Sequence, residues 1–262
     1  MIVNFDDKNY DKLLNQLISS QHWYPPMYKQ KISQYYREIS LSKGKKVEDK
    51  SFVLVWENKP VCGFIGAIVE DSQKHNLIEY EVPCIIIENI DKMTKKAGKS
   101  FLDEFEKIIE VINGSIWYRD YLIDGELSIL SRHLLSKGAK PTSIFSQVID
   151  LYKDEVILKR NIRKSYGSLI SWGRRELQPK VYDNSNMTWE KMLEFIELHT
   201  RVAGRKTRSN ETWRRQFEFI QEGGAFVIYG HFNGELVSAG YFSLSDSNCH
   251  YGFSASIREH FD

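Results

Sequence analysis

The chain has 262 residues, of which 42% are hydrophobic and 27% charged, with 36 basic and 35 acidic side chains. The apolar content excludes a mainly disordered protein, and the net charge of +1 argues against a general nucleic-acid binder. No apolar run approaches the ~20 residues that span a bilayer. The first residues lack the basic-then-apolar order of a signal peptide, so we predict a cytoplasmic protein.

The cysteines give no sign of a metal or disulfide framework. Cys62, Cys84 and Cys249 are scattered and form no pair spacing, and each is expected to act as a small apolar residue. No spacing of histidines, cysteines or carboxylates suggests a metal site. We therefore expect no metal and no permanently bound cofactor.

The first part of the chain alternates helical and strand patterns. Apolar spacing predicts helices over 9–18, 28–39, 101–112 and 126–141, with 43–50 as a solvated loop. Strands are predicted from 51 to 70 around the turn at 57–60, and then over 77–87, 115–120 and 142–151.

The order starts again after residue 151. A basic, aromatic-bearing helix is predicted over 155–176, then helices over 187–205 and 210–224, the last capped by Ser209 or Asn210. A hairpin turning at Asn233-Gly234 and a further strand from Asn248 follow. The fold class is α/β (α+β), with mixed, mostly antiparallel sheets flanked by helices. Two domains are expected, 1–144 and 145–262.

Several short segments of the second half occur together in a familiar order. They resemble the FemAB-like branch of the GNAT superfamily over roughly 145–262, whereas 1–144 resembles it only in element order. The segments are Ile149-Asp150-Leu151, Arg163-Lys164-Ser165, Ser171-Trp172-Gly173, Leu198-His199, Gly204-Arg205-Lys206-Thr207-Arg208, Thr212-Trp213, Gln216, Ala225-Phe226, Tyr251-Gly252 and Ser254-Ala255-Ser256.

The resemblance implies two tandem GNAT-like units and transfer of an acyl group from a thioester or an aminoacyl ester to an amine. Acyl-CoA or aminoacyl-tRNA would be the co-substrate, and the acceptor a cell-envelope or sugar-linked precursor. In this family a glycine-rich loop and helix N-terminus hold the donor pyrophosphate. Here the corresponding segment 91–100 has one glycine. The second unit stops at the matching point, so we expect it to be incomplete and the chain to be truncated.

Arginine is distributed unevenly. Ten of thirteen arginines follow residue 150, and arginine offers the planar fork that suits phosphate and carboxylate. Six basic residues between 201 and 215 face one acid, Glu211. We predict an anion site here, with Arg205 and Arg208 the best placed. The candidate substrate-binding residues are Arg201, Arg205, Lys206, Arg208, Trp213 and Gln216.

A second basic run extends from Lys159 to Lys180 with Tyr166 and Trp172 interleaved. This pattern fits a surface for a nucleotide or tRNA, or simply an exposed amphipathic helix. Both interpretations stay open at this point.

Proton transfer has tyrosine and histidine candidates. Tyr241 and Tyr251 are expected on adjacent strands and are the predicted catalytic pair. His199 and His250 lie near the same segments, although His199 falls on an apolar helix face and fits a core position. No covalent nucleophile signature is present.

These observations predict an N-acyltransferase acting on a small-molecule or nucleotide-linked acceptor, with tRNA as a further partner. The alternative is a GNAT-shaped, non-catalytic binding module or partner subunit for a phosphorylated ligand. The oligomeric state is not fixed by the sequence.

Overall fold

The computed structural model describes residues 1–21, 23–78, 84–122 and 125–260. Contacts divide the chain into two compact units. The first comprises Met1–Ala139, Arg208–Phe219 and Ser243–His250, and the second comprises Lys140–Thr207, Ile220–Phe242 and Tyr251–Asp262. Two later segments thus pack with the N-terminal unit, whereas the predicted division at residue 144 followed chain order and stays a prediction.

The first unit contains the predicted helices and strands, with shifted bounds. In chain order they are β1 (Ile2–Asn4), α1 (Tyr10–Ser19), α2 (Gln30–Ser42), β2 (Lys46–Asp49), β3 (Phe52–Trp56), β4 (Lys59–Ile65), β5 (Ala67–Asp71), β6 (Lys74–Ile78), β7 (Cys84–Glu88), α3 (Lys95–Ile109), β8 (Tyr118–Arg119) and α4 (Ile129–Ser136). Of the third predicted strand, over 77–87, residues 79–83 lie outside the described residues.

A mixed five-stranded sheet forms the centre of this unit. Its strand order is β1-β3-β4-β7-β8, with antiparallel neighbours except for the parallel pair β7–β8. Alternate side chains of a strand point to opposite faces. Phe52 therefore packs in a core with Phe101 and Phe105 of α3, and Val53 packs in a separate core with Leu14 of α1. Both faces of the sheet are thus covered by helices.

A three-stranded sheet, β2-β5-β6, was not predicted. The strand expected from Val61 to Glu70 ends at Gly66, and β5 then pairs with β2 and β6 instead of continuing the large sheet. Because β2 supplies a partner for β5, part of segment 43–50 is a strand, and its assignment as a solvated loop was wrong.

The second half of the chain repeats the pattern of a strand, two helices and an antiparallel meander, and the second of these helices falls mostly in the first compact unit. Its sheet order is β12-β11-β10-β9. The turn residues Asn233 and Gly234 have φ of 51° and 85°, as a two-residue hairpin requires. The elements are α5 (Glu155–Asn161), α6 (Lys164–Glu176), β9 (Lys180–Tyr182), α7 (Trp189–Ala203), α8 (Asn210–Gln221), β10 (Ala225–Phe232), β11 (Glu235–Leu244) and β12 (Cys249–Ser256).

The predicted fold class, α/β (α+β) with mixed, mostly antiparallel sheets flanked by helices, is confirmed. A second local prediction was wrong. Residues 142–151, expected as a closing strand, contain no strand and are exposed along their whole length. Ladder hydrogen bonds make a strand, and no described strand pairs with this segment.

Candidate anion-binding site

Arg208 lies immediately before α8 and is half-buried. Ser209 caps this helix, because its hydroxyl accepts a hydrogen bond from the Thr212 amide at 3.2 Å. The cap places Trp213, which is 2% exposed, in the first turn beside the arginine. The guanidinium carbon of Arg208 lies 5.0 Å from the centre of the Trp213 ring and 5.9 Å from that of Tyr35. The two rings fix the plane of the guanidinium and shield it from water.

A second arginine, Arg119, ends β8. Its Nε is buried and makes no hydrogen bond with any described residue. The charges of Arg208 and Arg119 both act on the Tyr36 hydroxyl and lower its pKa, but burial outweighs them and the pKa is raised. The Tyr36 phenol therefore stays protonated and can donate a hydrogen bond, and the charges of both guanidinium groups act on it.

His250 completes the group of polar side chains. His250 is exposed to solvent; partial loss of hydration lowers its pKa, and the positive charge of Arg119 lowers it further. The imidazole is therefore held neutral at neutral pH. We call this group the arginine–aromatic cluster, and all of its members belong to the first unit: Tyr35, Tyr36, Arg119, Arg208, Trp213 and His250.

Further aromatic rings adjoin the cluster. Tyr121, whose charge affects the pKa of Tyr36, meets Tyr28 edge-on with ring centres 5.9 Å apart and lies 6.4 Å from Trp23. Tyr24 stacks on Tyr28 at 6.4 Å. Burial raises the pKa of Tyr28 strongly, so its hydroxyl also stays protonated. These rings form one aromatic group around Tyr28, and the carboxylate of Asp120 also acts on Tyr28.

Two carboxylates, Asp120 directly after β8 and Glu88 at the end of β7, accept hydrogen bonds from the start of α4. The backbone N–H of Ser128 donates to Asp120 at 2.9 Å, and the N–H of Ile129 donates to Glu88 at 2.9 Å. The Ser131 hydroxyl donates to Asp120 as well, at 2.5 Å. These bonds satisfy the free N–H groups at the start of α4. Burial raises the pKa of Glu88. Both carboxylates thus act on α4.

The predicted substrate-binding residues separate into two groups. Arg208, Trp213 and Gln216 belong to the first unit, whereas Arg201, Arg205 and Lys206 belong to the second. Trp213 and Gln216 are both buried, and the Trp213 ring contacts the Arg208 guanidinium.

The three residues of the second group differ from one another. Arg201 is held by Glu235, with Nη1 and Oε1 2.7 Å apart, and this gives it a structural partner. Arg205 and Lys206 follow Gly204, which ends α7 in the left-handed conformation at φ 68°. Both are exposed and form no ion pair with a described residue. Their predicted roles stay predictions.

The predicted catalytic tyrosines lie on adjacent strands, as expected. Tyr241 on β11 is 3% exposed and stacks on Phe253, with ring centres 5.1 Å apart. Tyr251 on β12 is exposed, donates its hydroxyl proton to Ser254 and packs against Phe242. Since residues 241 and 242 point to opposite faces of β11, the two tyrosines pack on opposite faces. This arrangement does not pair their hydroxyls.

Sequence reasoning missed Arg119, Tyr35 and Tyr36. Arg119 is one of only three arginines before residue 150, and this scarcity was the available signal. Tyr35 and Tyr36 lie within α2, where their aromatic character fits a core face equally well. His199, interpreted as a core histidine, is half-buried beside Phe253 and 3.4 Å from the Thr207 hydroxyl.

The part of the chain that the structure describes holds neither a metal-binding cluster nor a membrane-spanning helix. No cluster of three or more histidine, cysteine or carboxylate side chains is close enough to hold a metal ion. No helix there has both the length and the apolar character needed to cross a membrane.

Comparison with known proteins gives a likeness in structure alone. No protein-family model matches the sequence, and no curated protein matches it significantly. The crystal structure of FemX matches with a TM-score of 0.66 and 11% sequence identity, over 100% of this chain and 82% of the FemX chain. At this identity the likeness concerns the fold. The chain therefore has a FemX-like fold.

Proposed function

We propose that this chain is an N-acyltransferase whose acceptor carries a phosphate or carboxylate. The observation that supports the proposal best is the position of Arg208, stacked at 5.0 Å on Trp213 and close to the same phenol as Arg119. Partly desolvated guanidinium groups bind anions more strongly than exposed ones, because water competes less for their N–H donors. The FemX-like fold supports transferase chemistry.

The acceptor in this proposal is a nucleotide-linked or otherwise phosphorylated cell-envelope precursor with a free amine. The planar rings around the arginines suit a base or sugar face, while the guanidinium groups hold its phosphates. Aminoacyl-tRNA or acyl-CoA serves as donor. Positioning of the two substrates supplies most of the rate enhancement, and proton transfer supplies the rest.

His250 is the proton acceptor in this proposal. An amine attacks only as the free base, so the site needs a neutral group that removes its proton. Arg119 and loss of hydration lower the pKa of His250 and keep it neutral. His250 is a better candidate than Tyr241, because Tyr241 is 3% exposed and its ring stacks on Phe253.

The alternative function is a binding module without catalysis. The observation that favours it is the arrangement of Tyr241 and Tyr251, the predicted catalytic residues, which pack against rings on opposite faces of β11. Such a module would hold one phosphorylated ligand in the arginine–aromatic cluster.

Thermal-shift measurements with single ligands separate the two functions. Acetyl-CoA, UDP-N-acetylglucosamine and uncharged tRNA are added one at a time to the full chain. An enzyme is stabilised by the nucleotide sugar and by one of the two donor analogues. Stabilisation by the nucleotide sugar alone supports the binding module, and no stabilisation by any of the three contradicts both functions.

A further inference from the structure

The segment 141–149 exposes apolar side chains in an unusual concentration. Phe145 is 93% exposed, Val148 77% and Ile149 70%. An aromatic side chain presents about 150–250 Å², so Phe145 alone leaves roughly 150 Å² or more of apolar surface in water, and Ile144, Val148 and Ile149 add to it. Monomeric proteins rarely expose contiguous apolar patches of more than about a few hundred Å², and patches of that size mark interaction sites.

The backbone of this segment also lacks partners. Residues 141–149 form no backbone hydrogen bond with any described residue, and no helix or strand is present from 139 to 150. Nevertheless the sequence Thr-Ser-Ile-Phe-Ser-Gln-Val-Ile is rich in β-branched and aromatic residues, which favour strands. What the segment lacks to form a strand is therefore a neighbouring strand that accepts and donates its backbone hydrogen bonds. A lipid surface would not provide it, because peptide groups in an apolar phase need hydrogen-bond partners.

The charges of the segment favour its own copy as that neighbour. Residues 141–149 carry no charge, whereas Lys140 lies before them and Asp150 after them. When two copies run antiparallel with Phe145 on the two-fold axis, Lys140 of each copy faces Asp150 of the other. Opposite charges facing each other across two strands stabilise this register, and nothing within the uncharged stretch opposes it.

We propose that this segment, here called the 140–150 strand, pairs antiparallel with the same segment of a second copy of the chain. The contact is isologous, so it closes as a dimer instead of growing into a polymer. The predicted closing strand is then a real strand whose partner lies in another molecule. This inference does not depend on the proposed function.

The oligomeric state of the full chain tests the proposal. Light scattering coupled to size exclusion should give a dimer for the wild type. Phe145→Lys places two like charges together at the axis and should give a monomer. The matched control is Tyr152→Lys, which makes the same change at a side chain of equal exposure outside the segment and should remain dimeric.

Charge reversal tests the register. Asp150→Lys puts a second positive charge opposite Lys140 of the other copy and should shift the dimer toward monomer. Combining it with Lys140→Asp restores opposite charges and should restore the dimer. Loss of the dimer in the double variant contradicts this register.

Other binding partners of the 140–150 strand would give different results in these measurements. A wild-type monomer at all accessible concentrations, larger polymers, or a monomer that co-sediments with phosphatidylglycerol vesicles each overturns the proposal. Since the substituted residues are exposed, circular dichroism is expected to show unchanged folding in every variant.

Discussion

At the scale of single residues, identical side chains serve very different purposes. Arg37 on α2 is 8% exposed, pairs with Asp49, and donates from Nη2 to the hydroxyls of Ser33 and Ser51 at 3.3 and 3.1 Å. Arg208 instead stacks on rings, and Arg201 forms an exposed pair. Residue counts located the arginines in the sequence but could not separate these roles, which depend on burial.

Removal of the Arg37 side chain should destabilise the first unit. Arg37→Ala leaves the carboxylate of Asp49 inside the protein without its cation, which costs about 3–5 kcal/mol in the free energy of unfolding. Chemical denaturation measures the loss. Lys12→Ala, an exposed change on α1, should stay within about 0.5 kcal/mol. An equal, small effect of both substitutions would mean that the ion pair adds nothing to stability.

The proposed role of His250 predicts a particular pH dependence of transfer. A base works in its neutral form, so the rate falls as the pH drops through the pKa of His250. Partial loss of hydration, and secondarily the charge of Arg119, hold this pKa below its ordinary value. Arg119→Gln removes the charge, the pKa rises, and the acidic limb of the pH–rate profile moves to higher pH.

Removing the proposed base itself gives a second test. His250→Gln should lower kcat by about 100-fold or more and abolish the acidic limb of the pH–rate profile. Initial rates across pH measure both effects. An acidic limb that persists unchanged in His250→Gln would assign the proton transfer to another group.

At the scale of elements, one glycine directs the chain from one sheet to another. A Cβ built on Gly66 would lie 2.6 Å from the sulfur of Cys84 and 2.6 Å from the Phe64 ring. Only glycine fits between β4 and β5 without movement of these neighbours. The apolar run from Val61 to Val69 looks continuous in sequence, so this close approach could not be predicted from it.

Gly66→Ala should therefore destabilise the chain by about 1–3 kcal/mol through overpacking. Gly167→Ala is the matched control, because it lies within α6 with no atom within 4 Å of the added Cβ. Alanine favours helix there, and stability should rise by up to about 1 kcal/mol. Thermal unfolding of both variants measures the difference. Stability of Gly66→Ala at or above that of the wild type would contradict the close packing.

At the scale of the whole molecule, the sequence predicted local order well and distant contacts poorly. Helix periodicity and turn signals such as Asn233-Gly234 act over a few residues, and these elements were confirmed. The arginine–aromatic cluster draws on α2, β8, α8 and the start of β12, which only tertiary folding brings together. Arg208 was found because it lies in a basic run, whereas Arg119 has no local pattern around it.

The two compact units also depend on contacts between residues that are distant in sequence. The segments Arg208–Phe219 and Ser243–His250 pack with the N-terminal unit, although they follow it by many residues in the chain. A division in chain order would assign Arg208 and His250 to the second unit and separate them from Arg119. The arginine–aromatic cluster thus depends on a topology that linear domain boundaries do not describe.

The central claim is that Arg208 binds the anionic part of the acceptor, and calorimetric titration of UDP-N-acetylglucosamine tests it most directly. Arg208→Ala should weaken binding by about 10- to 100-fold, the loss expected for charge-assisted hydrogen bonds. Arg160→Ala, at an exposed arginine of α5, should bind as the wild type does. Equal affinity of Arg208→Ala and the wild type, with the fold intact, would contradict the account.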